Sequence, residues 1–451
     1  MQPHAAMDLW LFNTQADGEH ITLWCLDDEG THHSVDIKAP ASFCVLTPDA
    51  DTSMRLLQAI DTIMRLKNCS ITGKKEHNAT VDQTEAKMMR LTVPAKHQKD
   101  IESYLSSSFQ LYDTGSSPLQ HLFRDGLSCN TWVRFTNTQR IKDLPHHDKR
   151  FRCRLQDLDW KMHAERKSLP RVVKGMGFDI ETAPKQEGSR ISFSDQDPVA
   201  VIQLSTFKMG DSRIMAEYQQ AMKERDQPKR QRELRTLPIE THVFAVGSAT
   251  TQEDLDREID PAQVQLRRVY FFPTEIEMMW AAQEFILNYK PVFIISYNGN
   301  QFDFPMCCTS TKNIMERKKD IRRFAPSGAD PFQPLEERKQ ANPMVWSLCN
   351  KPIEVRKQTI KTAQAGTRHK FQLKNCNSFI SIDLFIYCLE YQNSLTQYTL
   401  NNVVQTFLKM QKVDVGHDLI APLLNGNDAS RRKLIVYGAV RLDKTKCCSS
   451  S

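Results

Sequence analysis

Four consecutive apolar residues, Val292-Phe293-Ile294-Ile295, stand directly behind a helical stretch that Pro291 ends, and this pairing constrains the fold more than any other feature of the chain. A strand buried on one face alternates apolar and polar residues. A continuous apolar run marks a strand covered on both faces. The preceding helix begins near Thr274, whose hydroxyl can cap the first turn while Glu277 reaches back to it, and its apolar face is Ile276, Met279, Trp280, Phe285 and Ile286. Upstream lie four strand candidates: the segment ending at Thr182, then Val199–Thr206, His242–Val246 and Val269–Phe272. A charged insert from about Asp211 to Leu237 reads as a surface helix. The order β-β-β-β-α-β predicts an α/β sheet of mixed direction, with ligands gathering at strand ends.

The first of those strands, Gly177-Phe178-Asp179-Ile180-Glu181-Thr182, finishes in two carboxylates. Alternate side chains of a strand share a face, so Asp179 and Glu181 project together while Phe178 and Ile180 point into the core. Neighbouring anions repel unless a cation joins them, and a hard divalent ion takes carboxylate oxygens. The commoner reading of so short a motif is a strand end with two solvated acids. A third acid follows the apolar run in Ser296-Tyr297-Asn298-Gly299-Asn300-Gln301-Phe302-Asp303-Phe304-Pro305. Asp303 reads either as the N-cap of a helix that Pro305 begins or as the third member of a metal site, and the two roles are compatible.

The length of 451 residues allows two domains, expected at 1–170 and 171–442, followed by an atypical tail at 443–451. Sixty Lys and Arg against 54 Asp and Glu make the chain mildly basic, which permits nucleic acid as a partner without demonstrating it. Twelve cysteines include no CxxC pair, so neither a zinc module nor a disulfide framework is legible, and a reducing intracellular compartment fits best. The first ten residues show no cationic segment leading into an apolar run, and no stretch approaches ~18 uninterrupted apolar residues. No membrane partner is therefore expected.

Residues 1 to about 170 carry short strand candidates at Ile21–Leu26, Ser42–Leu46, Met89–Val93 and Thr131–Phe135, and a helical period at Ser53–Leu66. The stretch from Arg140 to Lys174 is dense in Arg and Lys, and reads as a solvated surface or as a phosphate-contacting one. Glu316–Arg323 and Lys351–Lys374 are basic too, the second shaped like a hairpin around Ala365-Gly366-Thr367. A strand at Phe379–Leu384 and helices at Phe385–Tyr391, Thr399–Met410 and Asp428–Leu442 complete the expectation.

Phe178-Asp179-Ile180-Glu181 with Asp197-Pro198-Val199 and Ile202-Gln203, then Tyr297-Asn298-Gly299 with Phe302-Asp303, resembles the first two 3′-to-5′ exonuclease motifs of family B DNA polymerases. Tyr398-Thr399-Leu400-Asn401, Asn425-Gly426-Asn427-Asp428, Arg431-Arg432 and Leu434-Ile435-Val436-Tyr437 are similar to the delta-type polymerases of eukaryotes and large DNA viruses. The resemblance spans about residues 130–437. It implies a ribonuclease-H-like exonuclease domain behind a mixed, mainly-β N-terminal domain, with the hairpin around Gly366 helping to part primer from template. Asp179, Glu181 and Asp303 match metal ligands, Tyr437 matches the tyrosine of the third motif, and Thr182, Asn298 and Phe302 match positions that hold the primer's 3′ end. The implied cofactor is a pair of Mg²⁺ or Mn²⁺ ions, which at a separation of roughly 4 Å activate water and stabilise a leaving oxygen. The implied partner is DNA, as a single-stranded 3′ end or a primer-template, with a sliding clamp or other replication subunits joining a full-length form. The implied location is the nucleus or a viral replication site. Phe302 can stack on an unpaired base or serve as a core phenylalanine.

The third motif departs from the family, in which an Asp follows the Tyr by one helical turn. Here the residue four after Tyr437 is Arg441, which cannot ligate a cation, and Asp443 falls about 240° round a helix from Tyr437. The palm motifs of polymerisation are not found in the sequence. The expectation is the N-terminal and proofreading portion of a replicative polymerase, truncated and impaired as a nuclease. The alternative is a non-catalytic DNA-binding module with a vestigial site.

Overall fold

The structure is a computed structural model, which describes residues 6–81, 84–142, 149–162, 165–166, 168–182, 197–209, 212–224, 229, 239–247, 266–324, 344–347, 351–362, 366–392, 395, 397–408, 419, 422–423 and 426–436. The chain divides into two compact units, Met1–Leu169 and Pro170–Ser451.

The first unit is mainly β. Its elements in chain order are β1 (Met7–Asp17), β2 (His20–Leu26), β3 (His32–Lys38), β4 (Ala41–Leu46), α1 (Ala50–Lys67), β5 (Thr72–Val81), β6 (Thr84–Val93), α2 (Gln98–Ser106), β7 (Leu111–Tyr112), α3 (Pro118–Arg124), β8 (Thr131–Phe135), β9 (Gln139–Arg140), β10 (Lys149–Arg154) and β11 (Leu158–Asp159). Seven strands form one sheet in the order β11-β8-β1-β2-β3-β10-β9, and four form another in the order β5-β6-β4-β7. Helix α1 starts where the Asp49 side chain accepts from the Thr52 N–H and stops at Asn68, whose φ of 45° no helix can continue. Its Leu56, Ile60 and Ile63 recur at helical spacing and pack with Phe43, Val45 and Leu91 of the four-stranded sheet. Across the β1–β8 pair Arg134 grips Asp8 through two hydrogen bonds of 2.7 and 2.8 Å.

The second unit is built on a six-stranded mixed sheet. Its elements are β12 (Val173–Thr182), β13 (Val199–Met209), α4 (Ser212–Lys223), β14 (Glu240–Val246), β15 (Leu266–Phe272), α5 (Glu275–Tyr289), β16 (Phe293–Ser296), α6 (Asp303–Phe324), β17 (Glu354–Thr362), β18 (Gly366–Lys374), β19 (Ile380–Asp383), α7 (Leu384–Tyr391) and α8 (Leu400–Leu408). The sheet order is β15-β14-β13-β12-β16-β19. β12 and β13 are antiparallel, and so are β13 and β14, while β16 runs parallel to both β12 and β19. Thr274 caps α5 as its sequence suggests, accepting from the Glu277 N–H, and Lys290 in the left-handed region closes the helix ahead of Pro291. The apolar run then enters β16 between β12 and β19, and Ile294 and Ile295 are almost fully buried.

Phe178 and Ile180 face the core as alternation requires. The Phe178 ring lies 4.8 Å from that of Phe304 on α6 and 5.0 Å from that of Trp346, so the floor beneath the acidic strand end is an aromatic cluster. The insert after β13 is helical over Ser212–Lys223, and β17 and β18 form a nine-pair hairpin from Glu354↔Lys374 to Thr362↔Gly366, longer than its turn signal alone suggests. Residues 363–365 at its tip, most of 225–238, and the tail 443–451 lie outside the described residues. Residues 428–436 of the last expected helix are helical.

Replacing Phe178 by Ala should cost about 3–5 kcal/mol, since it empties a ring-sized volume in a close-packed core. Leu66→Ala at a site 72 % exposed should stay within about 0.5 kcal/mol. Equilibrium denaturation of both variants checks the contrast.

Candidate active site

The parallel register Gly175↔Phe293, Met176↔Ile294 and Gly177↔Ile295 sets the ends of β12 and β16 side by side. Beyond those pairs β12 carries Asp179 and Glu181, and β16 turns into the loop that reaches Asp303. All three acids are buried, at 6 %, 3 % and 2 % exposure. This burial overturns the reading of the β12 pair as solvated acids. Thr182 is buried as well, behind an irregularity in the β12–β13 ladder between Glu181 and Thr182.

The loop is shaped by two residues that cannot easily be exchanged. Asn298 sits at φ 66°, in the left-handed region that Asn tolerates better than most residues. A Cβ on Gly299 would stand 2.3 Å from the Ser296 hydroxyl oxygen, 2.5 Å from Ser296 Cβ and 3.2 Å from Asp303 Oδ2, so only Gly lets the backbone pass. The Asn298 carbonyl accepts from the N–H groups of Gln301 and Phe302, and the Gly299 carbonyl accepts from Phe304, which winds the chain directly into α6. Asp303 is therefore the first residue of the helix rather than a cap before it, and Pro305 falls in the first turn. There the carboxylate also meets the positive end of the helix.

Asp383 is a further acid of the site, one not singled out from the sequence. It ends β19, is 6 % exposed, and accepts from three backbone N–H groups: Asn298 at 2.8 Å, Asn300 at 3.0 Å and Phe385 at 3.0 Å. Burial raises its carboxyl above the ordinary range, and those N–H donors pull it back in part. One carboxylate thus fixes the loop after β16 and caps α7. The legible signal was an Asp at a strand-to-helix boundary.

Gln203, quoted above within the first motif but given no role there, also faces the site. It stands opposite Asp179 in the antiparallel register, is fully buried, and neither atom of its amide makes a hydrogen bond. Opposed residues share a face, so this amide extends the polar side of the sheet beside Asp179. Asn298 Oδ1 and Ser296 Oγ are likewise buried without a hydrogen bond. Oδ2 of Asp179 and Oδ2 of Asp303 accept no hydrogen bond, although both residues make other interactions. Phe302 is partly buried and packs against the core cluster of Phe178 and Phe304. Tyr437, Arg441 and Asp443 lie outside the described residues.

Three carboxylates at neighbouring strand ends suit a hard divalent cation in donor type. Among the described residues no group of three His, Cys, Asp or Glu side chains stands ready to hold a metal ion, so the fit is one of donor chemistry. The nine described cysteines are free thiols. No helix among the described residues is long and apolar enough to cross a membrane.

A six-stranded mixed sheet with buried acids at adjacent strand ends, flanked by helices, defines a ribonuclease-H-like exonuclease fold. The sequence profile of "DNA polymerase family B, exonuclease domain" matches residues 126–403, more than half of the chain, and the chain belongs to that family. Among relatives, the DNA polymerase delta catalytic subunit of Arabidopsis thaliana is 32 % identical over 169 residues, covering 38 % of this chain and 13 % of that subunit. The corresponding subunit of Schizosaccharomyces pombe is 23 % identical over 364 residues, 74 % of this chain and 27 % of its own length. The DNA polymerase catalytic subunit of Rhesus cytomegalovirus is 27 % identical, covering 41 % of this chain and 14 % of that one. The family B DNA polymerase of Pyrobaculum calidifontis shares the fold with a TM-score of 0.56 at 12 % identity, over 98 % of this chain and 45 % of its own. The chain thus spans between 13 % and 27 % of the length of these curated subunits.

Asp383→Ala should destabilise the second unit by about 2–4 kcal/mol, because it leaves the Asn298 and Asn300 N–H groups without their acceptor at a buried turn. Hydrogen exchange should show faster exchange of those two amides before any global unfolding.

Proposed function

We propose that the chain acts as a 3′-to-5′ exonuclease module on single-stranded DNA primer ends, the proofreading portion of a replicative family B polymerase. The observation that supports this best is the burial of Asp179, Glu181 and Asp303 at two neighbouring strand ends inside the segment that matches the family. Asp179, Glu181 and Asp303 would hold a pair of Mg²⁺ or Mn²⁺ ions, which when bound supply an activated water and charge stabilisation for the leaving oxygen. Thr182 at the end of β12 and Asn298 on the loop would position the 3′-terminal nucleotide. The partly buried Phe302 would offer a ring edge to its base. Tyr437, the tyrosine of the third motif, would complete the site.

Arg441 stands where the family carries its fourth acid, so we read the nuclease as impaired. A guanidinium has no acceptor and cannot replace that acid as a cation ligand. The same residue supports the second reading, a DNA-binding module with a vestigial site. Either form would work where DNA is replicated, in the nucleus or at a viral replication site, beside a sliding clamp or other replication subunits.

Release of mononucleotides from 5′-labelled single-stranded DNA, with and without Mg²⁺, tests the proposal. Slow, metal-dependent release is expected from the chain, a fall of at least a hundredfold from Asp179→Ala, and a gain from Arg441→Asp. Robust cleavage that Asp179→Ala leaves intact would sink the mechanism. DNA binding with no hydrolysis in any of the three proteins would favour the non-catalytic reading.

A further inference from the structure

The basic stretch that begins at Arg140 finds no use in the nuclease site, and part of it is strand β10 of the first unit. Its exposure alternates residue by residue: Phe151 and Cys153 enter the core, whereas Arg152 and Arg154 are exposed and Arg150 is half-buried. Arg150, Arg152 and Arg154 consequently form a single row on one face, each about 6.6 Å from the next along the strand. That row lines a groove of about 1160 Å³, whose lining holds four cationic side chains, the three arginines and Lys38, against two acids, Asp36 and Asp157.

The acids are already engaged. Asp36 accepts from Arg150 at 2.7 Å and from the Thr22 hydroxyl at 2.8 Å, and Asp157 accepts from the Asn137 amide at 2.9 Å. Lys38 pairs with Glu19. Among the described residues Arg152 and Arg154 form no ion pair, so the groove presents two guanidinium groups with their charge unspent, held in line by a third that is anchored.

We infer that this groove is a second nucleic-acid site, one that grips the phosphodiester backbone of a single strand. Guanidinium groups suit phosphate oxygens through paired N–H donors. A straight, evenly spaced row fits a polymer with one charge per repeat, and an unstacked strand can adjust its phosphate spacing to such a row where a stiff duplex cannot. Asn137, Gln139 and Gln156 on the other walls supply neutral donors and acceptors to sugars and bases. The lining contains no Phe, Tyr or Trp, so binding there is sequence-independent and strongly salt-dependent. The site is independent of the catalytic reading.

The test measures fluorescence anisotropy of a labelled single-stranded oligodeoxynucleotide with the full chain in EDTA, over a range of salt. Arg152→Ala with Arg154→Ala should weaken binding on the order of tenfold and lower the slope of log K against log salt by about 1.4, two phosphate contacts at about 0.7 each. Arg152→Glu with Arg154→Glu should weaken it further. Matching circular dichroism spectra keep the comparison between folded proteins. An unchanged slope in the charge-reversed variant overturns the site. So does equal competition by unlabelled duplex or by polyglutamate, which would make the face a general polyanion or acidic-peptide surface. Loss of hydrolysis in Asp179→Ala bears on the nuclease alone.

Discussion

Parallel strands paired in register end at the same edge of a sheet, and β12 and β16 do so without an intervening strand. Such pairing cannot be made by a tight turn; it needs a crossover, here supplied by α5. Because β16 lies between β12 and β19, both of its edges are committed, and its first three residues, Phe293, Ile294 and Ile295, are apolar without alternation. The polar work is displaced to the strand ends. There the backbone leaves the ladder, carboxylates can gather, and a loop can be fastened by a side chain instead of by strand pairing.

That fastening falls to Asp383. The loop is held by the packing of Tyr297 and Phe302 against neighbouring apolar clusters and by the two N–H groups that Asp383 receives. The acid is itself buried, and its ionised form depends on those donors, so loop and carboxylate stabilise one another. The aromatic floor of Phe178, Phe304 and Trp346 carries the hydrophobic share of the same task from beneath.

Periodicity made much of this legible. β12, β13, β14 and β16, helix α5 with its threonine cap, and the three acids all follow from local pattern, because strand alternation and cap chemistry act over a few residues. The N-terminal unit was read less fully. β3 escaped because its composition is polar, as at His32 and His33, which tertiary burial overrides, and β1 has no such reason, since it is apolar at Leu9–Phe12 and pairs with the adjacent β2. β10 reads from the sequence only as a basic surface, solvated or phosphate-contacting, because arginines alternate with its two core residues, and only the sheet shows Phe151 and Cys153 turned inward. Asp383 carried a cap signal, but its reach to Asn298, 85 residues earlier, is a tertiary fact.

The tight passage at Gly299 has a consequence for how this region can change over time. Any side chain there meets Ser296 and the Asp303 carboxylate together, so the position cannot drift alone. A substitution would have to arrive with a smaller residue at 296 or a shifted first turn of α6, and the intermediate sequences pass through strained states. The loop should therefore be replaced as a block or kept whole, which ties the ancestry of the acid at 303 to a glycine that has no chemistry of its own.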